Sequence, residues 1–306
     1  MNKMMTMKTS SLSCGPDRYA DIMLDDWFKR SFKEFGDAKR LMLLFLQTLI
    51  PERKIASITF TSEESTNQNP DKKGVRVDVE CTDESGNRFL VEVQQAKQSD
   101  FYDRAVFDST FAIQRQLEEG ADEYGFAPVY FIGIMRFSLH PDSKECLYRY
   151  SLKEDNSGEL MTDHLHYIFL EVTKCRLASK APLIEKVGYA LNHMAEFKER
   201  PEGFDGEFFD LLFKSADFHT FAPEEKIKYH YDMTTERDIR NQIKYAHDEG
   251  KADGKAEGLA EGRDEERQRI AKAMLADGLA PEQVARYSGL TPEQLEKLHD
   301  QKGQPE

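Results

Sequence analysis

Two acids, Asp78 and Glu92, fall within alternating, valine-rich stretches, "VRVDVE" and "RFLVEVQQ", separated by the short polar segment "CTDESGN". Alternation of this kind is the mark of strands with two distinct faces. A three-residue turn of Glu84, Ser85 and Gly86 puts glycine where a hairpin needs a left-handed residue. Carried outward, that turn sets Val79 against Val91, Asp78 against Glu92, and Arg76 against Gln94. The valines then share one face, and the two acids, the arginine and the amide share the other. Opposed carboxylates about 5 Å apart at Cβ repel each other, and a divalent cation between them reverses the sign. The alternative is the solvent-facing polar side of a two-faced sheet.

Asp78, followed on the next strand by Glu92-Val93-Gln94, resembles the D…(D/E)xK core of the PD-(D/E)XK nucleases, in the variant with Gln in place of Lys. Residues 17 to about 200 are more specifically similar to the recombination-promoting nuclease, or transposase, family. The similarity is carried by "DDWFKRSF", "RVD", "VEVQ" and the stretch from Arg104 to "EEGADEY". It implies a restriction-endonuclease-like α/β fold, a mixed sheet with flanking helices plus an α-helical C-terminal extension. It also implies a metal-dependent DNA endonuclease linked to recombination or mobile elements. Asp78 and Glu92, with the main-chain carbonyl of Val93, are then expected to bind Mg²⁺, with Mn²⁺ as a substitute. Oxygen ligands suit these ions. Asp25 is a further candidate ligand, or else the N-cap of its helix. Lys29 and Arg104 are candidate phosphate contacts, or else structural cations.

Gln94 is the departure from the pattern. It can orient a water, yet it offers neither charge nor a useful base to the transition state. Arg76, on the same face, is a candidate replacement or simply an ion-pair partner of the acids; Lys97 has the opposite parity. The alternative function is an inactive or weak nuclease-fold protein that works through its helical C-terminal tail.

The elements that must position these residues follow from periodicity. Helical spacing covers "DDWFKRSFKEF" and the segment after Gly36-Asp37, up to Pro51. "KIASITF" reads as a strand and "STNQNPDKKG" as a loop. "YDRAVFDSTFAIQRQLEEG" reads as a helix stopping at Gly120, "APVYFIGIMRF" as a buried strand, "CLYRYSL" and "HLHYIFLEV" as further strands, and "PLIEKVGYALNHMAEF" as a helix. The expected divisions are an N-terminus over 1–16, a nuclease-like domain over 17–200, a helical extension over 201–245, a glycine ladder over 246–266 and a helical tail over 267–306.

In the ladder, Gly250, Gly254, Gly258 and Gly262 recur every four residues. Either a flexible tether or a helix with a smooth ridge for self-association fits that spacing. The tail, "RIAKAMLADGLAPEQVARYSGLTPEQLEKL", resembles a helix-turn-helix with Gly278 and Gly289 as stops. From residue 264 onward it holds six Lys or Arg against nine Asp or Glu, a poor footprint for DNA, so a partner-binding or oligomerising tail is the preferred reading.

Composition bounds the rest. The net charge is −14 over 306 residues, which argues against a broad nucleic-acid coat but permits a local groove around an acidic metal site. No apolar run is long enough to span a bilayer, and "MNKMMTMKTSSLSCG" lacks the apolar stretch of a secretory signal, so the cytoplasm is expected. The four cysteines form no CxxC pair. His164 and His166 share a strand face without a third ligand, and no nucleotide-loop, hydrolase-elbow or zinc-protease motif occurs.

Overall fold

The computed structural model describes residues 18–61, 77–117, 125–178 and 180–300. Contact density divides the chain into two compact units, one ending at Lys226 and the other beginning at Ile227.

The first unit is built on a six-stranded mixed sheet in the order β1-β2-β3-β4-β6-β5. The strands are β1 (Ile58–Phe60), β2 (Val79–Asp83), β3 (Arg88–Gln94), β4 (Val129–Met135), β5 (Leu147–Ser151) and β6 (Leu165–Glu171). Helix α3 (Phe101–Gln114) connects β3 to the parallel strand β4, as parallel neighbours require. Strand β6 continues parallel to β4, and β5 closes the edge antiparallel to β6. This is the restriction-endonuclease-like α/β arrangement expected from the sequence.

The turn chemistry sets the hairpin. Gly86 adopts φ +85°, and its N–H donates to the Asp83 carbonyl at 3.1 Å. Val79 consequently faces Val91, the register read from the sequence. The valine face, with Val79, Val91 and Val93, packs into a core shared with α2 (Ala38–Leu49), α4 (Leu183–His193) and α5 (Glu207–Ala216). Helix α5 lies in the segment read as a helical extension, and Phe208, Phe209, Leu212 and Phe213 are nevertheless part of this same core.

The opposite face is not a solvated one. Leu90 of β3, Phe131 of β4 and Phe169 of β6 pack there against Phe101, Ala105 and Ala112 of α3. Gly133, opposite Glu92 on β4, makes the close approach possible, because a Cβ there would lie 2.9 Å from Phe169 and 3.0 Å from Phe101. The acids of the hairpin are therefore roofed by a helix, which overturns the reading of a polar, water-facing side.

Helix α1 (Asp25–Lys29) continues into a wider turn at Arg30–Glu34, closed by the Phe35 N–H donating to the Arg30 carbonyl at 2.8 Å. At the next helix Asp37 holds the N-cap position as expected. Its side chain does not cap, however, but accepts from Lys214 Nζ at 2.9 Å. Helix α3 ends at Gln114, short of the expected stop at Gly120. Its last turn tightens, with the N–H groups of Gln116 and Leu117 reaching back three residues, while the Arg115 guanidinium turns toward the sheet.

In the second unit the glycine ladder is helical, part of α6 (Pro223–Ala276). Helices α7 (Pro281–Ser288) and α8 (Pro292–Asp300) follow. Gly278 and Gly289 stop their helices at φ +84° and +71°, as the left-handed C-cap requires. Ala271, Val284, Leu290 and Leu295 form the small core of this tail. Among the described residues no helix is long and apolar enough to cross a membrane.

Candidate metal-dependent nuclease site

Asp78 and Glu92 meet on the α3 side of the hairpin with only 7% and 4% of their surface exposed. Asp78 Oδ2 accepts from the Val93 main-chain N–H at 2.7 Å, which ties its carboxylate to the neighbouring strand. Lys29 Nζ, arriving from α1, stands 3.4 Å from Asp78 Oδ1. Arg104, in the first turn of α3, donates to Glu92 Oε1, and its Nε lies 3.6 Å from Asp108 Oδ2. Glu92 Oε2 is buried and accepts no hydrogen bond among the described residues.

Two carboxylates held together away from water should resist ionisation, and both do. Burial raises Asp78 to about 6, with the Asp25 charge adding to the rise and the Val93 N–H and Lys29 opposing it. Burial raises Glu92 further, to about 8, reinforced by the charges of Asp78, Asp108 and Asp25 and opposed by Arg104. Ionised, Asp78, Glu92, Asp108 and Asp25 would outnumber the two cations, Lys29 and Arg104. A divalent ion would offset that charge, and Glu92 Oε2, without a hydrogen-bond partner among the described residues, has an oxygen lone pair to offer it.

The donor set fits a hard oxygen-seeking ion. Among the described residues no group of three or more His, Cys, Asp or Glu side chains is gathered closely enough to hold a metal alone. Mg²⁺ does not require one, since it is commonly held by one or two carboxylates while keeping several waters. His164 and His166 belong to no such group among the described residues. The first sits edge-on to Phe126, and the second stacks on Tyr130 at 4.4 Å.

The structure separates the other candidates. Asp25 is not an N-cap: Leu24 holds that position, and Asp25 is the exposed first residue of α1, its charge felt by both buried acids. Lys29 and Arg104 both converge on the site, each paired with an acid. Gln94 ends β3 half-buried, its Nε2 donating to the Ala96 carbonyl at 3.4 Å. Lys97 is exposed. Arg76 lies outside the described residues.

Two buried acids escaped the sequence reading. Glu80, two residues beyond Asp78 on the same face, is clasped by Arg115 at 2.8 and 2.9 Å. Asp108 lies beneath Arg104. The signal was a polar row at helical spacing, Arg104, Asp108 and Arg115, on the same side of α3 as Phe101, Ala105 and Ala112. That row lets the side of α3 that carries Phe101, Ala105 and Ala112 also cover an acidic strand face.

Nearby, Arg136 at the exit of β4 forks onto both oxygens of Asp21 at 2.6 and 2.7 Å. Gln95 joins this cluster, accepting from Arg136 at 3.2 Å and donating to the Met23 carbonyl. These contacts fix the segment leading into α1 against the end of β3, and so set where Asp25 and Lys29 stand relative to Asp78.

A family model described as PD-(D/E)XK nuclease family transposase matches residues 22–246. The chain belongs to that family. The match spans Asp78, Glu92, Gln94, Asp25, Lys29 and Arg104, together with the sheet and helices that carry them. A second model, the C-terminal HTH domain of the Rpn/YhgA-like nuclease family, matches residues 264–300, the end of α6 with α7 and α8. Both agree with the resemblance read from the hairpin and the N-terminal motif. No curated protein and no solved structure matches the chain significantly.

Proposed function

We propose that this family member is a metal-dependent DNA endonuclease that hydrolyses phosphodiester bonds, with a role in recombination or mobile-element movement in the cytoplasm. The observation that carries the reading is the buried Asp78–Glu92 pair, held protonation-prone with one carboxylate oxygen left unpaired. Asp78, Glu92 and the Val93 main-chain carbonyl would hold Mg²⁺ or Mn²⁺, with Asp25 contributing from α1. Such an ion, when bound, supplies a Lewis acid and an activated water.

The remaining roles belong to the chain. Lys29 and Arg104 each pair with a carboxylate that a cation would neutralise, which frees both side chains to contact a phosphate. Arg104 keeps Asp108 as a second partner and so stays positioned over the site. Gln94 orients a water through its amide and contributes no charge, leaving Arg76, Lys29 or Arg104 to stabilise the developing phosphorane. The helix-turn-helix tail supports DNA as the partner, even though its net charge is negative. Self-association through the C-terminal region is part of the same reading.

Incubation of the full chain with supercoiled and linear DNA, in Mg²⁺ or in EDTA, tests the assignment. Cleavage should require the metal and should disappear in Asp78→Ala. Cleavage that persists in either EDTA or the variant would place the activity elsewhere.

A further inference from the structure

Residues 249–263 of α6 repeat every four positions as an acid, a glycine, a base or leucine, and an alanine. A four-residue period exceeds the helical turn of 3.6, so each row drifts by about 40° per step and the rows keep their order around the helix. The glycine row of Gly250, Gly254, Gly258 and Gly262 is thereby flanked on one side by Glu249, Asp253, Glu257 and Glu261. On its other side stand Lys251, Lys255 and Arg263, and the alanines lie behind. The whole segment is exposed, and nothing lies within 4 Å of a Cβ built on any of the four glycines.

These charges are not arranged to stabilise the helix that carries them. Within the repeat, side chains four apart bear like charges, and opposite charges fall two apart, where helical side chains do not face each other. Both the charge pattern and the bare ridge are suited to contact with a second surface.

A second copy of the same helix supplies that surface. Contact along the glycine rows lets two backbones approach closely at a right-handed crossing. If the copies run parallel, the basic flank of each faces the acidic flank of the other on both sides of the contact. If they run antiparallel, acid faces acid and base faces base. We propose that residues 249–263 form the interface of a parallel homodimer, chosen over the antiparallel one by its charged flanks.

The proposal is independent of the phosphodiester reading, because its test measures association and not cleavage. Sedimentation equilibrium of the full chain should show a dimer whose dissociation constant rises with salt, since salt screens attraction between unlike rows. Gly254→Leu combined with Gly258→Leu should weaken it by about tenfold or more while leaving the helix intact, because leucine is the better helix former. Lys251→Glu with Lys255→Glu should likewise weaken self-association, and mixing it with Asp253→Lys/Glu257→Lys, the acids level with those lysines in a parallel pair, should restore a dimer. A monomer at every concentration, a dimer indifferent to the leucines, or a dimer tightened by salt would overturn the proposal.

Discussion

Replacing Glu92 by Gln should stabilise the metal-free protein at alkaline pH and do little at acid pH. In the fold Glu92 keeps its proton up to about pH 8, whereas an unfolded glutamate loses it near pH 4.3. Between those values the native state binds more protons than the unfolded one, so stability falls as pH rises through the window. From pH 5 to pH 8.5 this loss amounts to about 4 kcal/mol as an upper bound, at 1.36 kcal/mol per unit, and dielectric relaxation reduces it to about 2. Glutamine does not titrate, and Arg104 retains Asp108 as a partner in the variant. Thermal unfolding monitored at both pH values should therefore show Glu92→Gln melting about 4–8 °C above wild type at pH 8.5, with a much smaller difference at pH 5. Added Mg²⁺ should raise the wild-type midpoint at pH 8.5 and leave the variant nearly unchanged. An equal shift at both pH values, or a destabilised variant at pH 8.5, would refute the claim that the carboxylate is held there against its own charge.

Two further outcomes are expected. Gln94→Lys restores the cation of the family pattern at the end of β3, and it should raise metal-dependent cleavage of supercoiled DNA by about tenfold or more, measured under single-turnover conditions. Gly188→Ala would place a Cβ 2.2 Å from Cys175 Sγ in the core beneath α4, and should cost about 1–3 kcal/mol in urea unfolding, with part of the loss recovered in a Cys175→Ala background.

The hairpin was legible because two local rules agree on it. A glycine at the left-handed turn position fixes the register, and a period of two then assigns every side chain to a face. What period two cannot say is what lies above a face. Asp78 and Glu92 among valines look the same whether water or α3 covers them, and only the distant row of Arg104, Asp108 and Arg115 betrays the roof. Helix α5 illustrates the same limit, since its phenylalanines read as part of a helical extension and not as part of the core they join. In the ladder, four glycines and like charges four apart weigh against an isolated helix, yet the segment is helical, an outcome that local propensity does not give. Of the cysteines, Cys81, Cys146 and Cys175 are buried free thiols, in keeping with their scattered spacing.

The most direct measurement of the central claim is anomalous diffraction from crystals of the full chain soaked in Mn²⁺. A peak between the carboxylates of Asp78 and Glu92, absent in Glu92→Gln crystals treated alike, is the predicted result. Strong Mn²⁺ density elsewhere, with the two acids still paired only to Lys29 and Arg104, would contradict it.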